Sequence, residues 1–447
     1  MVRFLLFVAF FVGMTGGFVD RAQAQRLLWL GTLGGDESAA NGVADNGVVV
    51  GWAQDLSNTK RAFRWTEATG MDDLGALVLL TTSSIAYDVS DDGTIIVGES
   101  GESFRWTETT GMQEISFLDS SGSSAYSVSG DGSVIVGASF KADMRTPYRW
   151  TEADGIQVLF EPTTTLGSNA FDVSDDGAVI VGSVGSLNST FRPFRWTETT
   201  GVQDLGTLGG DLGVAYGVSA DGSVVVGSAD NREGNKRPFR WTASAGMIDL
   251  TSLGQVSEAL DVSANGLKMV GYYVINNTEE ERALLWNFFP VLSIRNLNSQ
   301  YADLISAGSY LERANAISAN GRYIVGYGFN AETGRREAFL LDTNVATGVE
   351  DETVPQTASL AAAFPNPFRL STTLGFTVSR PGPVRLCVYD GLGRLVRTLV
   401  DAPRSTGAYQ VDWDGRDEQG RIVPAGVYLV RLEDSGAAQT RTLVVVR

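Results

Sequence analysis

Carboxylates are the side chains in this sequence that could do acid–base chemistry, because the chain has no histidine and a single cysteine, Cys387. The lack of histidine removes the commonest neutral-pH base, the commonest metal ligand and the Ser-His and Cys-His nucleophiles. A pair of carboxylates would still suffice to hydrolyse a glycosidic bond. The candidates, all in loops that differ between repeats, are Asp55, Asp143, Glu233 and Glu280. No spacing singles out a pair among them, and we assign no catalytic residue, metal site or cofactor.

A second set of candidates is aromatic. Trp52, Tyr272 and Tyr327 each follow a glycine that recurs in every repeat, at a position where the other repeats have Glu, Ala or Ser. Aromatic faces beside polar loops can stack against sugar rings. These residues therefore predict a carbohydrate-binding site, with packing between neighbouring repeats as the alternative use of the same rings.

The charge balance limits the partners. The 447 residues include 52 acidic and 34 basic side chains, which gives a net charge of −18. Such a surface repels nucleic acid and anionic membranes, so we expect neither as a partner. With 43% hydrophobic residues and 52 glycines, the composition is typical of a folded chain with many turns.

The middle of the chain repeats one unit seven times. The unit reads Ala-x-x-Val-Ser-x-Asp-Gly-x-Val-Ile-Val-Gly, then a variable polar stretch, then Pro-Phe-Arg-Trp-Thr-Glu and Gly-Met-x-Asp-Leu-Gly. Spacings of 39 to 55 residues between units are typical of four-stranded propeller blades. The glycine that ends the apolar run marks each unit: Gly51, Gly98, Gly137, Gly182, Gly227, Gly271 and Gly326.

Each unit predicts four strands, A to D. The Asn-Gly or Asp-Gly pair between strands A and B suits a type I′ hairpin, and the Val/Ile run of strand B suits a sheet covered on both faces. In strand C we expect the Trp to fill the space between blades and the Arg before it to pair with a nearby carboxylate or carbonyl. The B–C and D–A connections share one face of the disc. We call it the variable face, because its loops differ in length and charge, and such loops commonly carry binding.

The seventh unit has strands A to C but no strand D. The missing strand is predicted at the start of the chain, because Leu28 to Asp36 match Val202 to Asp211, a strand D with its following loop. The N-terminal strand should therefore complete the seventh blade, so that the two ends of the ring share one sheet without an exposed edge. The predicted fold is an all-β, seven-bladed β-propeller over residues 25–347.

These repeats resemble the HAF-repeat family of probable extracellular repeats, from residue 28 to about residue 347. The resemblance rests on Leu205 to Gly210 followed by Tyr216 to Gly227. It implies export and repetition but no particular activity. Units six and seven depart from the pattern, with Leu285-Trp286-Asn287 and Leu340-Leu341-Asp342 where the other units have Arg-Trp-Thr.

The C-terminal part has a different pattern. A polar, acidic stretch over 348–360 is typical of a linker. Residues 361–447 show alternating strands and turns that predict a small β-sandwich. This segment, with Tyr389-Asp390-Gly391 and Pro424-Ala425-Gly426, resembles the type IX secretion C-terminal sorting domain, itself similar to the immunoglobulin-like domain of the flagellar hook-capping protein. The resemblance implies passage across an outer membrane with the secretion machinery as partner; a sandwich that binds something else or spaces the propeller is the alternative.

The first 24 residues predict a secretory signal. Arg3 precedes an apolar run from Phe4 to Met14, and Ala22-Gln23-Ala24 matches the small-x-small rule, with cleavage after Ala24. The run is too short to span a bilayer, and no other segment predicts stable membrane insertion; an uncleaved anchor or a buried strand is the alternative. Export through the periplasm to the outer-membrane surface or the medium follows.

Two functions are consistent with these features. The favoured interpretation is an exported, non-catalytic surface protein that binds a glycan or a protein, or acts as a scaffold. The alternative is an extracellular enzyme that cleaves polysaccharide with a carboxylate pair on the variable face. Repeats this uniform show little sign of a specialised catalytic pocket, which favours binding.

Overall fold

The computed structural model describes residues 25–446 except 78–82, 116–121, 163–166, 186–189, 251–255, 276–277, 289–291, 344–358, 361–362, 364–365, 370, 379–381, 405–406 and 435–436. The predicted signal peptide with its cleavage site after Ala24, and most of the predicted linker, lie outside the described residues. In the described part the chain is almost entirely β-structure.

Seven four-stranded antiparallel blades form the propeller predicted from the repeats, and in each the strands follow the order A-B-C-D. A parallel bridge between Glu37 of blade one and Arg336 of blade seven joins these two blades into one eight-stranded sheet. In blades one to three the strands are β2 (Gly34–Val43), β3 (Val49–Asp55), β4 (Lys60–Thr66), β5 (Gly70–Asp73), β6 (Ile85–Val89), β7 (Ile96–Ser100), β8 (Glu102–Thr107), β9 (Gly111–Glu114), β10 (Ser123–Val128), β11 (Ile135–Lys141), β12 (Met144–Thr151) and β13 (Gly155–Val158). In blades four and five they are β14 (Ser168–Val173), β15 (Val179–Gly185), β16 (Phe191–Thr197), β17 (Gly201–Asp204), β18 (Gly209–Val218), β19 (Val224–Asn231), β20 (Lys236–Thr242) and β21 (Gly246–Asp249). In blades six and seven they are β22 (Ser257–Val262), β23 (Lys268–Val274), β24 (Glu281–Asn287), β25 (Ser293–Asn296), β26 (Tyr310–Ile317), β27 (Tyr323–Asn330), β28 (Arg335–Asp342) and, from the start of the chain, β1 (Arg26–Gly31).

The hydrophobic core of the propeller lies between blades. Each of its clusters combines side chains of two adjacent blades, for example Val50 of blade one with Ile96 and Phe104 of blade two. A bulky strand C residue is buried at the same place in every blade: Phe63, Phe104, Tyr148, Phe194, Phe239, Leu284 and Phe339. The recurring glycine makes room for it. A Cβ on Gly98 would lie 2.0 Å from the carbonyl oxygen of Ile85 and 2.8 Å from the Phe104 ring.

The strands A surround a central channel. Each contacts the strands A of the two neighbouring blades. A narrow space of about 80 Å³ near their ends is lined by residues of all seven blades. The ring is therefore continuous, and whatever faces the channel is held by seven equivalent strands.

The N-terminal strand closes the ring, as the sequence predicts. Strand β1 pairs antiparallel with β28, with Trp29 opposite Phe339, and the two rings meet edge to face at 6.4 Å. The Arg26 guanidinium donates two hydrogen bonds of 2.6 Å to Glu67 of blade one and lies 3.8 Å from the buried Asp342 of blade seven. One short strand thus joins the last blade to the first.

The connection between blades six and seven carries the helical part of the propeller. It contains the short helix α1 (Leu297–Gln300) and a 3-10 turn at Ala302–Leu304. Asn296 caps the helix by accepting a 2.8 Å bond from the backbone of Asn298. Leu297 and Tyr301 are buried in the cluster between the two blades.

The C-terminal domain is a two-sheet sandwich, as predicted. Ser359 and Leu360, which the sequence assigns to the linker, already form a strand. A cluster that includes Phe368, Trp413 and Tyr428 fills the space between the sheets. The sheets have the orders β29-β30-β33 and β32-β31-β34-β35, with β29 (Ser359–Leu360), β30 (Thr372–Val378), β31 (Gly382–Asp390), β32 (Leu395–Arg404), β33 (Gly407–Trp413), β34 (Gly426–Asp434) and β35 (Ala437–Val445).

Removing the closing strand should destabilise the propeller. We expect deletion of residues 25–33 to lower the urea midpoint markedly, because β28 then becomes an exposed edge. Trp29→Ala should cost about 2 kcal/mol, less than a fully buried Trp, since the ring is only partly buried. Leu56→Ala, at an exposed loop position, is the control. Unchanged stability of the deletion variant would show that β1 does not hold the ring.

Candidate functional site

Four aromatic rings form a continuous wall of the central channel. They occupy the same position of strand A in blades two to five, and consecutive ring centroids are 5.4, 5.2 and 5.9 Å apart. All four are partly exposed, so part of each ring faces the channel rather than the protein core. We call this set the aromatic wall: Tyr87, Tyr126, Phe171 and Tyr216.

Polar side chains fix the hydroxyl ends of this wall. The Tyr87 hydroxyl lies near the Glu99 carboxylate, the Tyr216 hydroxyl lies near Glu258 and Ser228, and the Arg145 guanidinium donates to the Tyr126 hydroxyl. Burial, together with these carboxylates, raises the pKa of Tyr87 and Tyr216, so both stay neutral. The three tyrosine hydroxyls therefore face polar side chains, whereas Phe171 has no hydroxyl.

Arg145 and Glu99 form the polar end of the wall through a shared serine. Ser124 donates a 2.6 Å bond to Glu99 and accepts a 2.9 Å bond from Arg145. The Arg145 Nε donates at 2.8 Å to Asn169. The guanidinium thus lies across blades three and four and lends the polar end of the wall a positive charge.

Blades six and seven supply a charged wall two strand positions nearer the variable face than the aromatic wall, and we define it as Glu258, Glu281 and Arg313. Glu258 and Arg313 directly precede the strand A alanines of their blades, on the side of the variable face. Arg313 makes two charge-assisted bonds to Glu281, and Lys236 bonds Glu258 at 2.8 Å. One side of the channel mouth is thus aromatic and the other carries paired charges.

Three aspartates close the channel below the aromatic wall. Each belongs to strand A of an even-numbered blade and accepts a hydrogen bond from a backbone N–H of the next blade. Asp88 accepts from Val128 (3.0 Å), Asp172 from Val218 (2.7 Å) and Asp261 from Ile317 (2.8 Å). We call these three residues the aspartate staples, because each ties two blades together.

The odd-numbered blades have small residues at the staple position. A Cβ on Gly217 would come within 3.1 Å of the Asp261 Cα, and the Ser127 hydroxyl lies within hydrogen-bond distance of both Asp88 (2.8 Å) and Asp172 (2.7 Å). The alternation of Asp with small residues is therefore a steric and hydrogen-bonding requirement. Burial raises the pKa of all three aspartates, to about 7 for Asp261, although the backbone N–H groups oppose the shift.

The structure brings two of the three sequence-predicted aromatics together. Tyr272 and Tyr327 lie beside the charged wall: the Arg313 guanidinium lies 4.0 Å from the Tyr272 ring centroid, and the Tyr327 hydroxyl is 3.4 Å from Glu281. Tyr272 is only 6% exposed, so Arg313 covers the face expected to meet a sugar. Trp52 lies apart in blade one, with the Lys60 ammonium 3.8 Å from its ring. Stacking of an aromatic ring on a sugar therefore stays a prediction for Trp52 and Tyr327.

The four sequence-predicted carboxylates serve their own loops. Asp55 accepts bonds of 2.7 and 3.1 Å from the backbone of its turn, Glu233 accepts from Asn231 and Asn235, and Glu280 pairs with Arg282 at 2.9 Å. Asp143 lies exposed in a left-handed turn. They belong to blades one, three, five and six, and no two of them are in contact in the described part of the chain. The structure thus offers no acid–base pair from this set.

The aromatic wall was missed in the sequence, although a signal for it exists. The second residue of the strand A motif is Tyr or Phe in four consecutive units, as Ala-Tyr-Asp-Val, Ala-Tyr-Ser-Val, Ala-Phe-Asp-Val and Ala-Tyr-Gly-Val. An alternating position of a strand reads equally well as core. Only the closed ring shows that this position faces a channel.

Fold and site define a β-propeller with a polar and aromatic channel mouth, joined to an Ig-like domain. Residues 370–437 match the family model described as FlgD Ig-like domain. A search of curated proteins finds no match. Among the described residues, no helix has the length and apolar character needed to cross a bilayer.

Several solved structures are similar to this chain at low sequence identity, with TM-scores below 0.5. One is the β-propeller domain of the Trilobed protease from Pyrococcus furiosus, at 10% identity, covering 72% of this chain and 97% of that one, with a TM-score of 0.48. Virginiamycin B lyase from Staphylococcus aureus is 13% identical; the match covers 71% of this chain and 99% of that one, with a TM-score of 0.46. PorZ, a surface component of the type-IX secretion system of Porphyromonas gingivalis, is 13% identical. The match covers 87% of this chain and 56% of that one, with a TM-score of 0.41, so this chain spans just over half of PorZ. At these levels the matches say nothing about function.

The staples predict a pH dependence of stability. An Asp in the unfolded chain ionises at about pH 4, whereas Asp261 in the folded state ionises at about pH 7. Between these two values the folded state binds one proton more than the unfolded state. The contribution of Asp261 to the free energy of unfolding therefore falls as the pH rises. Asp261→Asn does not titrate. The stability advantage of the wild type over Asp261→Asn should therefore shrink by about 2 kcal/mol from about pH 5 to about pH 8 in urea titrations. Asp211→Asn, an exposed control, should show no such trend; a constant Asp261→Asn difference would contradict the assignment.

Proposed function

We propose that this protein is an exported, non-catalytic surface module that binds a ligand at the channel mouth, between the aromatic wall and the charged wall. The observation that carries the proposal is the set of partly exposed rings at four equivalent positions, three of which are tyrosines whose hydroxyls face polar side chains. Rings needed only for packing would be buried among apolar neighbours, as the strand C aromatics are.

The chemistry of the mouth suits a carbohydrate or a polar peptide. Ring faces offer apolar contact to the C–H face of a sugar, and fixed carboxylates and guanidiniums accept and donate bonds to hydroxyl groups. The charges are paired, at Arg313–Glu281 and Lys236–Glu258, so the mouth offers no excess of one sign to a strongly charged ligand. We therefore favour a neutral glycan as ligand and treat a protein ligand as the other outcome of the test.

For export, we propose that residues 361–447 act as a type IX-like sorting domain and engage the secretion machinery. The proposal is supported by the Ig-like family match over 370–437, by the sandwich structure and by the sorting-domain motifs of the sequence. The predicted signal peptide over 1–24 supplies the first membrane passage. Together these features lead to a location at the outer-membrane surface or in the medium.

Glycan binding is tested on an array with the mature chain, residues 25–447. Tyr126→Leu/Phe171→Leu removes two rings of the aromatic wall and keeps an apolar side chain that blade six already carries at this position, Leu260. We expect at least a tenfold loss of binding in a variant that keeps the circular dichroism spectrum of the folded chain, since ring stacking is lost while an apolar side chain remains at both positions. Val202→Ala, on an outer strand, is the control. Binding to no glycan, or full binding by the double variant, would redirect the search to protein ligands or to another surface.

Export is tested by fractionating a host that has a type IX system. Deleting residues 359–447 should leave the propeller in the periplasm, while the full chain reaches the surface or the medium. The propeller keeps its own closing strand β1 in the truncated chain, so its fold is expected to survive, which circular dichroism checks. Surface delivery of the truncated chain at the full-length level would refute the sorting role.

A further inference from the structure

In the described part of the chain, the C-terminal domain contacts the propeller at the outer edge of blade five, next to Phe288 of blade six. Strands β30 and β33 of the sandwich meet β20 and β21 there. The Arg240 Nη2 donates to the Gln410 Oε1 at 3.2 Å, and the Ser244 hydroxyl donates to the Asp412 carboxylate at 2.6 Å. A small cavity of about 20 Å³ lies between the domains, room for about one water molecule.

Blade five buries at this edge what blades one to four leave partly exposed. Arg240 is 4% and Trp241 6% exposed. The Arg240 guanidinium also lies 5.0 Å from the centroid of the Phe288 ring. Burial lowers the pKa of Arg240, and the nearby Asp412 carboxylate partly offsets this shift. The equivalent arginines of blades one to four are only partly buried: Arg64, Arg105, Arg149 and Arg195.

The sequence of blade five is altered where the C-terminal domain lies. The residue that pairs across the strands with the arginine is Ile248 in blade five, and it is partly buried and lines the interdomain cavity. The same turn lacks the exposed glutamate of the repeat, since Ala243 takes its place beside Ser244. The equivalents of Ile248 in the other Arg-Trp blades are polar and exposed: Asp72, Gln113, Gln157 and Gln203.

We propose that the outer edge of blade five is a docking surface for the chain's own C-terminal domain, which holds that domain in one orientation on the propeller. The occupant is the β30–β33 face, with Gln410 and Asp412 as its polar contacts. At the edge that Asp412 approaches, Ile248 replaces a polar residue and Ala243 replaces a glutamate of the repeat. Both changes favour the contact with the C-terminal domain, and neither occurs in blades one to four.

Docking decides which surface of the C-terminal domain remains available. The β30–β33 sheet is covered. A groove of about 710 Å³ at the end of the other sheet stays open, and it is lined by the exposed apolar residues Leu392, Leu395, Ile422 and Val427. Because the two domains are covalently linked, a modest interface suffices to keep them together. This groove therefore stays available to a partner of the docked domain.

Small-angle X-ray scattering of the mature chain tests the proposal. The variant Ala243→Glu/Ile248→Gln gives blade five the residues that its sister blades tolerate, so the blade should fold. We expect a compact particle for the wild type, and for the variant a larger radius of gyration and maximum dimension at an unchanged circular dichroism spectrum. Gln203→Ile, the reverse change in blade four, is the matched control and should scatter like the wild type.

A second variant approaches the same contact from the other domain. Gln410→Lys places a cation against Arg240 and should open the particle in the same way, since two buried cations repel. An extended wild type, or variants as compact as the wild type, would overturn the proposal. These measurements do not involve a ligand or secretion, so their outcome is independent of the function proposed above.

Discussion

The closed ring of strands A is the constraint on which the rest of this protein depends. Seven blades must meet around one axis, and their innermost strands run side by side without pairing as a sheet, so their backbone groups need other partners. Asp88, Asp172 and Asp261 supply acceptors across three of the blade boundaries. Two asparagines cover the boundaries next to blade one: Asn41 donates to Ala86 and Asn315 to Ala40, both at 2.9 Å.

This solution has an electrostatic cost. Three carboxyl groups are buried near one axis, and their burial raises their pKa values. The cost is tolerated because each group accepts backbone hydrogen bonds that would otherwise be unmade, and an unsatisfied buried N–H is itself costly. The staples also fix the spacing of the strands, so the aromatic wall directly above them is held by the same ring.

Repeated positions and positions that depart from the repeat have different roles in this molecule. Positions that repeat, such as the strand B glycine and the strand C aromatic, build the contacts between blades. Positions that break the repeat mark where something else is met: Arg313 and Glu281 at the channel mouth, and Ile248 where the C-terminal domain lies. In a repeat protein a single chain thus provides its own internal comparison, and a departure shared by one edge or one quadrant points to a contact.

The sequence by itself determined the all-β class, the seven blades, the closing role of the N-terminal strand and the Ig-like sandwich, because turn pairs, strand alternation and the repeat period are local properties of the chain. It also named Trp52, Tyr272 and Tyr327 as candidate rings for a sugar, but it could not show that Arg313 covers Tyr272, since those residues are 41 positions apart and meet only across a blade boundary. The aromatic wall, the aspartate staples and the seat of the C-terminal domain were decided by tertiary structure alone. Each arises from side chains of different blades or domains, and only closure of the ring brings them within contact distance.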